Sequence, residues 1–267
     1  MRTLFIYNLK HILRSKLLYL FFIFSTLLHF MGLKLLHTLT LSIQGVFQTI
    51  GPREGIFFSL YFELFIGVFL ATVYGIWLVP YLHTGQRVTL SYSLPVPKWK
   101  YPVAYFSSFL VLILIEQFIL FTSFGLVFGF EAYGDPKFPW SGLVSCTLLE
   151  ILAFETAMFG FAFTSIQFGQ ITAFILGGAT FSVLQTVGSL LRLGLERFSA
   201  SLEATLVLVQ QFYRVFPPIG EIIFDLKQGF TKSFETFEHF YIWVAWLAVF
   251  TALFAVKLHY PSNKRIS

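Results

Sequence analysis

Four carboxylates stand inside runs of apolar sequence: Glu63, Glu116, Glu150 and Glu155. An ionised acid at mid-membrane costs about 2.5–3.5 kcal/mol on insertion scales, so each must face protein, water or a partner rather than lipid. Two chemistries fit. The groups can pass a proton or cation along, as in secondary transporters. Alternatively they are protonated, or hydrogen-bonded to neighbours such as Gln117, Thr122 and Thr156, and fix helix packing. Packing is the favoured role, because no basic residue lies in the same spans to complete a relay. His29 and His37, eight residues apart towards the outer end of the first apolar run, can share one side of a helix. Two imidazoles alone make a poor metal site, and the pair reads as interfacial anchors; no metal site is expected. Cys146 is the single cysteine, so no internal disulfide exists, and inside its apolar run it reads as a small packing residue.

Other chemistry is missing. There is no G-x-x-x-x-G-K-[ST] phosphate loop, no H-E-x-x-H, no paired cysteine ligands and no G-x-S-x-G turn. The chain is not expected to be an enzyme, to carry a cofactor of its own or to bind nucleic acid.

The elements that position these residues follow from composition. The chain is 57% hydrophobic and 12% charged, with 36 Phe and a mean hydropathy of +0.77, far from the make-up of a soluble domain. It reads as one transmembrane domain over residues 1–267. A crossing helix needs roughly 20 apolar residues at ~1.5 Å each. Six runs qualify: 17–36, 56–82, 103–129, 142–166, 171–191 and 240–258. The expected fold is therefore all-α, with six transmembrane helices. The run 56–82 exceeds what a bilayer needs and must tilt or project. Its Pro80 stands near the end, where a helix loses a hydrogen bond cheaply. The fourth and fifth runs are separated only by Gln167 to Gln170. Small residues mark close approaches, which are expected mostly within the chain: Gly67, Ala71 and Gly75; Gly125 and Gly129; Ala153 and Ala157.

Two further segments are patterned. Residues 1–16 read as an interfacial helix, with Phe5, Leu9, Ile12 and Leu13 on one face and Thr3, Tyr7, Lys10 and Arg14 on the other. Residues 192–239 read as a helical outer loop before the last span. Leu202, Leu206, Val209, Tyr213 and Phe216 form a stripe at helical spacing, stopped by Pro217 and Pro218, and a short piece from Ile219 to Leu226 follows. With the N terminus inside, the inner segments carry Arg2, Lys10, Arg14, Lys16, Arg87, Lys98, Lys100, Lys257, Lys264 and Arg265 and no acid. That asymmetry places both termini in the cytoplasm.

The inner segment His83 to Pro102 (HTGQRVTLSYSLPVPKWKYP) is basic and proline-bearing, and reads as a surface built to touch something. In this segment Thr89, Leu90, Leu94, Pro95, Val96 and Lys98, followed by Tyr105, match in type and order the stretch between the second and third spans of type 2 ATP-binding-cassette exporters. Together with the interfacial helix, six spans and helical outer loop, the chain resembles the membrane (permease) subunit of that family. Pro97 and Lys98 stand where Ser and Arg are usual, and the upstream acid is absent. The resemblance implies a separate cytoplasmic ABC ATPase subunit that holds ATP and Mg. It implies coupling through Arg87, Thr89, Leu90, Leu94, Pro95 and Lys98, and a second permease copy in a bacterial plasma or inner membrane. The outer-loop residues Leu206, Val209, Tyr213, Pro217 and Pro218 would close the exit. Cargo would be amphipathic or lipid-like, or motion would pass to an outer-side partner. The alternative is an ion- or proton-coupled secondary transporter using the buried glutamates.

Overall fold

The computed structural model of the chain describes residues 2–38, 40–43, 46–49, 51–81, 97–194, 222, 226 and 240–259. The first helix, α1 (Arg2–Leu13), stops where the amides of Arg14 and Ser15 bond back to the His11 and Ile12 carbonyls at 3.2 and 2.9 Å. The interfacial helix expected over 1–16 is present, but its inward face is shifted. Asn8 and Ile12 are buried, Phe5 and Leu9 half-buried, and Leu13 is exposed. Leu13 follows Ile12 by about 100° of helical rotation, which carries it off the packed face.

α2 (Lys16–Thr38) buries Leu18, Phe21, Ser25, His29 and Leu33, one stripe at spacings of three and four. Its other sides expose Tyr19, Leu20, Ile23, Phe24, Leu27, Met31 and Leu35. The mid-helix polar residues Ser25 and His29 thus point inward while large apolar side chains point outward, the arrangement a lipid solvent selects. After α2, within a fold otherwise all-helical among the described residues, comes one short hairpin. Strands β1 (Thr40–Ile43) and β2 (Val46–Thr49) form an antiparallel hairpin, in register Thr40 with Thr49 and Ile43 with Val46. Thr, Ile, Val and Phe around a central Gln-Gly pair suit a hairpin and resist continued helix.

Pro52, at the first helical position, opens α3 (Pro52–Val73), and Glu54 lies in its first turn, where an acid meets the positive end of the helix dipole. α3 runs on through a π-helical turn, Tyr74–Leu78, into a last turn, Val79–Tyr81. The extra length of this run is thus partly absorbed by a widened turn. Pro80 has no amide to give the carbonyl one turn back, at Ile76. The Ser165 hydroxyl donates to that oxygen at 3.1 Å instead, satisfying an acceptor that lipid could not.

α4 (Lys100–Phe128) ends at Gly129, whose φ of +89° suits only glycine. After a 3₁₀ turn, Phe130–Gly134, comes α5 (Trp140–Phe168). Gly169, φ +98°, alone separates it from α6 (Gln170–Gly194). The last helix is α7 (Phe240–His259). Among the described residues, five helical segments are long and apolar enough to cross a membrane: α2, Glu54–Leu78 of α3 with its π turn, α4, α5 and Phe240–Leu258 of α7. α6 runs through the residues of the sixth expected span, but its described apolar stretch, Gln170–Thr180, is shorter than a crossing helix needs. The chain is a multi-pass helical membrane protein.

α5 is the hub, packed on α3, α6 and α7, while α2 and α1 lie against α4. The Gly67, Ala71 and Gly75 stripe serves the α3–α5 contact within the chain, as expected. A Cβ at Gly67 would stand 2.1 Å from the Phe154 ring, and one at Gly75 would stand 2.6 Å from the Met158 carbonyl. Gly125 and Gly129 do not form a helix-packing motif. Gly129 terminates α4, and Gly125 makes room for the Phe130 ring folded back over it. An aromatic cap closes this end. The Tyr133 hydroxyl donates to the Phe121 carbonyl at 2.5 Å and the Trp140 indole to the Tyr133 carbonyl at 3.2 Å. Burial raises the Tyr133 phenol above its ordinary pKa.

Candidate intramembrane site

Four helices bring polar side chains to one buried place. α2 supplies Ser25 and His29, α3 Glu63, α4 Glu116 and Gln117, and α5 Thr147 and Glu150. His29, Glu63, Glu116 and Glu150 are all fully buried. His29 Nε2 and Glu63 Oε2 are 3.2 Å apart. The Ser25 hydroxyl donates to Glu116 Oε2. The Gln117 amide donates to Glu150 Oε2 at 3.2 Å, and Gln117 Oε1 in turn lies 3.5 Å from the Thr147 hydroxyl. One ligand atom each from His29, Glu63 and Glu116 lies within 4.8 Å of the others. The acceptor capacity is far from used up. Glu63 Oε1, Glu116 Oε1, Glu150 Oε1 and His29 Nδ1 have no hydrogen-bond partner among the described residues.

Glu155 stands apart from this cluster, on the same helix as Glu150. Both of its oxygens are buried, with no partner among the described residues. Five residues beyond Glu150 on one helix, it is turned by about 140° and cannot share its site.

The sequence expectation therefore divides. Gln117 does bond a buried glutamate, as anticipated. Thr122 and Thr156 do not: their hydroxyls return to the Phe118 and Leu152 carbonyls at 2.8 and 2.7 Å, the local bond that a threonine finds one helical turn back. The two histidines also part. His37 is exposed, its ring edge-on to Phe128 at 5.1 Å, consistent with an anchor. His29 is no anchor, because it falls on the inward stripe with Ser25 and Leu33. That stripe is legible in the 3-4-4-4 spacing from Leu18 to Leu33, which the pairing of His29 with His37 hides. Cys146 is a buried packing residue, its thiol 3.2 Å from the Leu226 carbonyl. Ile222 and Leu226, from the piece expected over Ile219 to Leu226, are both helical and buried.

Arg87, Thr89, Leu90, Leu94 and Pro95 lie outside the described residues, as do Leu206, Val209, Tyr213, Pro217 and Pro218. Lys98 is half-buried just before α4, where its carbonyl accepts the Tyr101 amide at 3.2 Å. Lys100 holds its ammonium 5.7 Å from the centre of the Trp99 ring. Directly beside this end of α4, Asn8, His11 and Ile12 of α1 meet Tyr74 and Leu78 of the π turn and Tyr105 of α4 around a cavity with room for about one water. No protein-family model, curated protein or solved structure matches the chain.

Proposed function

We propose that this chain is the permease subunit of an ATP-binding-cassette exporter of type 2, driven by a separate cytoplasmic ATPase that binds ATP and Mg. The seating of α1 supports this reading. It packs on α4 and lines one small cavity together with Tyr74 and Leu78 at the end of α3, so it adjoins both helices that bracket residues 82–96. A push on that basic segment would reach the first turns of α4, the π turn and α1 together. The π turn is the natural point of yield, since widened turns in a helix are frequent at sites that move. Two permease and two ATPase copies would complete the assembly in a bacterial plasma membrane. Cargo would be amphipathic or lipid-like, or motion would pass to a partner on the outer side.

Co-purification of a phosphate-loop ATPase after mild solubilisation is the expected result. Arg87→Glu with Lys98→Glu should reduce permease-stimulated ATP hydrolysis by about tenfold or more, since charges that met acids on the partner would now repel them. Hydrolysis that stayed at full rate in this variant would remove the coupling role of the segment.

The buried His29, Glu63 and Glu116 support a second reading, an ion- or proton-coupled transporter. Uptake into vesicles driven by a proton gradient, with no ATPase present and lost in Glu63→Gln and Glu116→Gln, would replace the first reading by this one.

A further inference from the structure

We infer that His29, Glu63 and Glu116 form an intramembrane binding site for a divalent transition-metal ion, with Zn2+ the best match. The inference goes beyond both transport readings and holds whichever energy source drives the protein.

Geometry comes first. Two ligands each about 2.0 Å from a tetrahedral ion stand roughly 3.3 Å apart, and His29 Nε2 and Glu63 Oε2 are 3.2 Å apart. The three donor atoms fit within a 4.8 Å span, as ligands sharing one ion must. Three protein ligands leave a fourth position for water, the pattern of an open site rather than a closed structural one. Ser25, bonded to Glu116 Oε2, fixes that carboxylate as an outer-shell partner would.

Charge points the same way. No Lys or Arg occurs between residues 54 and 86 or between 101 and 136, the stretches holding Glu63 and Glu116. Two carboxylates and a neutral imidazole are balanced by one divalent cation, which removes the cost of burying either acid ionised. Glu63 Oε1 and Glu116 Oε1 are completely buried acceptors with no partner among the described residues, an omission a bound cation would explain. The imidazole decides the class of ion. Ca2+ and Mg2+ take oxygen ligands, whereas nitrogen with carboxylate suits Zn2+ and its neighbours.

The full-length protein, purified in detergent, stripped with a chelator and titrated with Co2+ as a spectroscopic stand-in, should bind one ion per chain. The bound ion should show the visible absorption of a low-coordinate site, and Zn2+ should displace it. His29→Ala, Glu63→Gln and Glu116→Gln should each weaken binding by more than about tenfold, while His37→Ala and Glu155→Gln leave it unchanged. Because wild-type stoichiometry needs no variant to fold, its absence at micromolar Co2+ and Zn2+ would by itself overturn the inference. So would binding that survives all three substitutions, or displacement by Ca2+ or Mg2+ rather than Zn2+.

Discussion

A carboxyl group inside a bilayer needs something to stand in for water, and the buried acids here are served unequally. Glu63 and Glu116 each hold one polar partner, whereas Glu155 has none among the described residues. Removing one member of a buried polar pair strands the other at about 1–3 kcal/mol, while an apolar group of like shape in place of an unpartnered acid is nearly neutral or better. Glu63→Leu should therefore lower the thermal unfolding temperature in detergent, and Glu155→Met should leave it unchanged or raise it. A large loss with Glu155→Met would mean that this carboxyl is held by a group outside the described residues. At Tyr133 the phenol, raised in pKa by burial, donates to the Phe121 carbonyl. A group whose folded value exceeds its unfolded one stabilises fully below the latter, about 10 for tyrosine, and loses that contribution as pH rises through the folded value. Tyr133→Phe should thus be less stable than wild type by about 1 kcal/mol at neutral pH, with the gap closing above roughly pH 10. Melting curves of both proteins across pH test this. The acids were legible from sequence because charge in an apolar run is conspicuous. His29 was hidden by its pairing with His37, since its inward stripe shows only when it is spaced against Leu18, Phe21, Ser25 and Leu33.

Between elements, the closest approach is that of α3 and α5. At Gly75 an added methyl would meet the Met158 carbonyl, which is backbone, so the helices must part; at Gly67 it would meet the Phe154 ring, a side chain with some freedom. Gly75→Ala should cost at least as much as Gly67→Ala, with overpacking of this kind worth about 1–3 kcal/mol. Gly178→Ala, which meets nothing within 4 Å on α6, should be neutral or gain about 0.5–1 kcal/mol. A size-exclusion thermal series of the three variants would rank them, and the reverse order would contradict the α3–α5 contact. The helices were legible because a lipid solvent demands long apolar runs, and the Gly67, Ala71, Gly75 stripe because four-residue spacing marks a helix face. The same spacing misled at Gly125 and Gly129, where one glycine ends the helix and the other accommodates a returning phenyl ring. Short-range competition hid the rest. Thirteen residues between α2 and α3 suffice for the β1–β2 hairpin, and the Ile76 carbonyl in the π turn before Pro80 is met by Ser165, 85 positions beyond that proline.

At the scale of the whole molecule the two ends differ in kind. One gathers α1, the start of α4 and the end of α7, with Lys10, Lys98, Lys100 and Lys257; the other carries the hairpin and the aromatic cap, with Glu131, Asp135 and Lys137. If positive charge is retained on the cytoplasmic side, as the proposed orientation has it, the first end is the inner one. The chain supplies its own means of checking this, because its single thiol, on Cys146, is fully buried and should stay silent towards a membrane-impermeant maleimide. Lys10 and Lys137 are both exposed, so Lys10→Cys and Lys137→Cys place one reactive thiol at each end. In intact cells Lys137→Cys should label and Lys10→Cys should not; permeabilised cells should label both. The opposite pattern would invert the topology and put the segment of residues 82–96 on the outer face. No cytoplasmic ATPase could reach it there, and the permease reading would fall with the orientation.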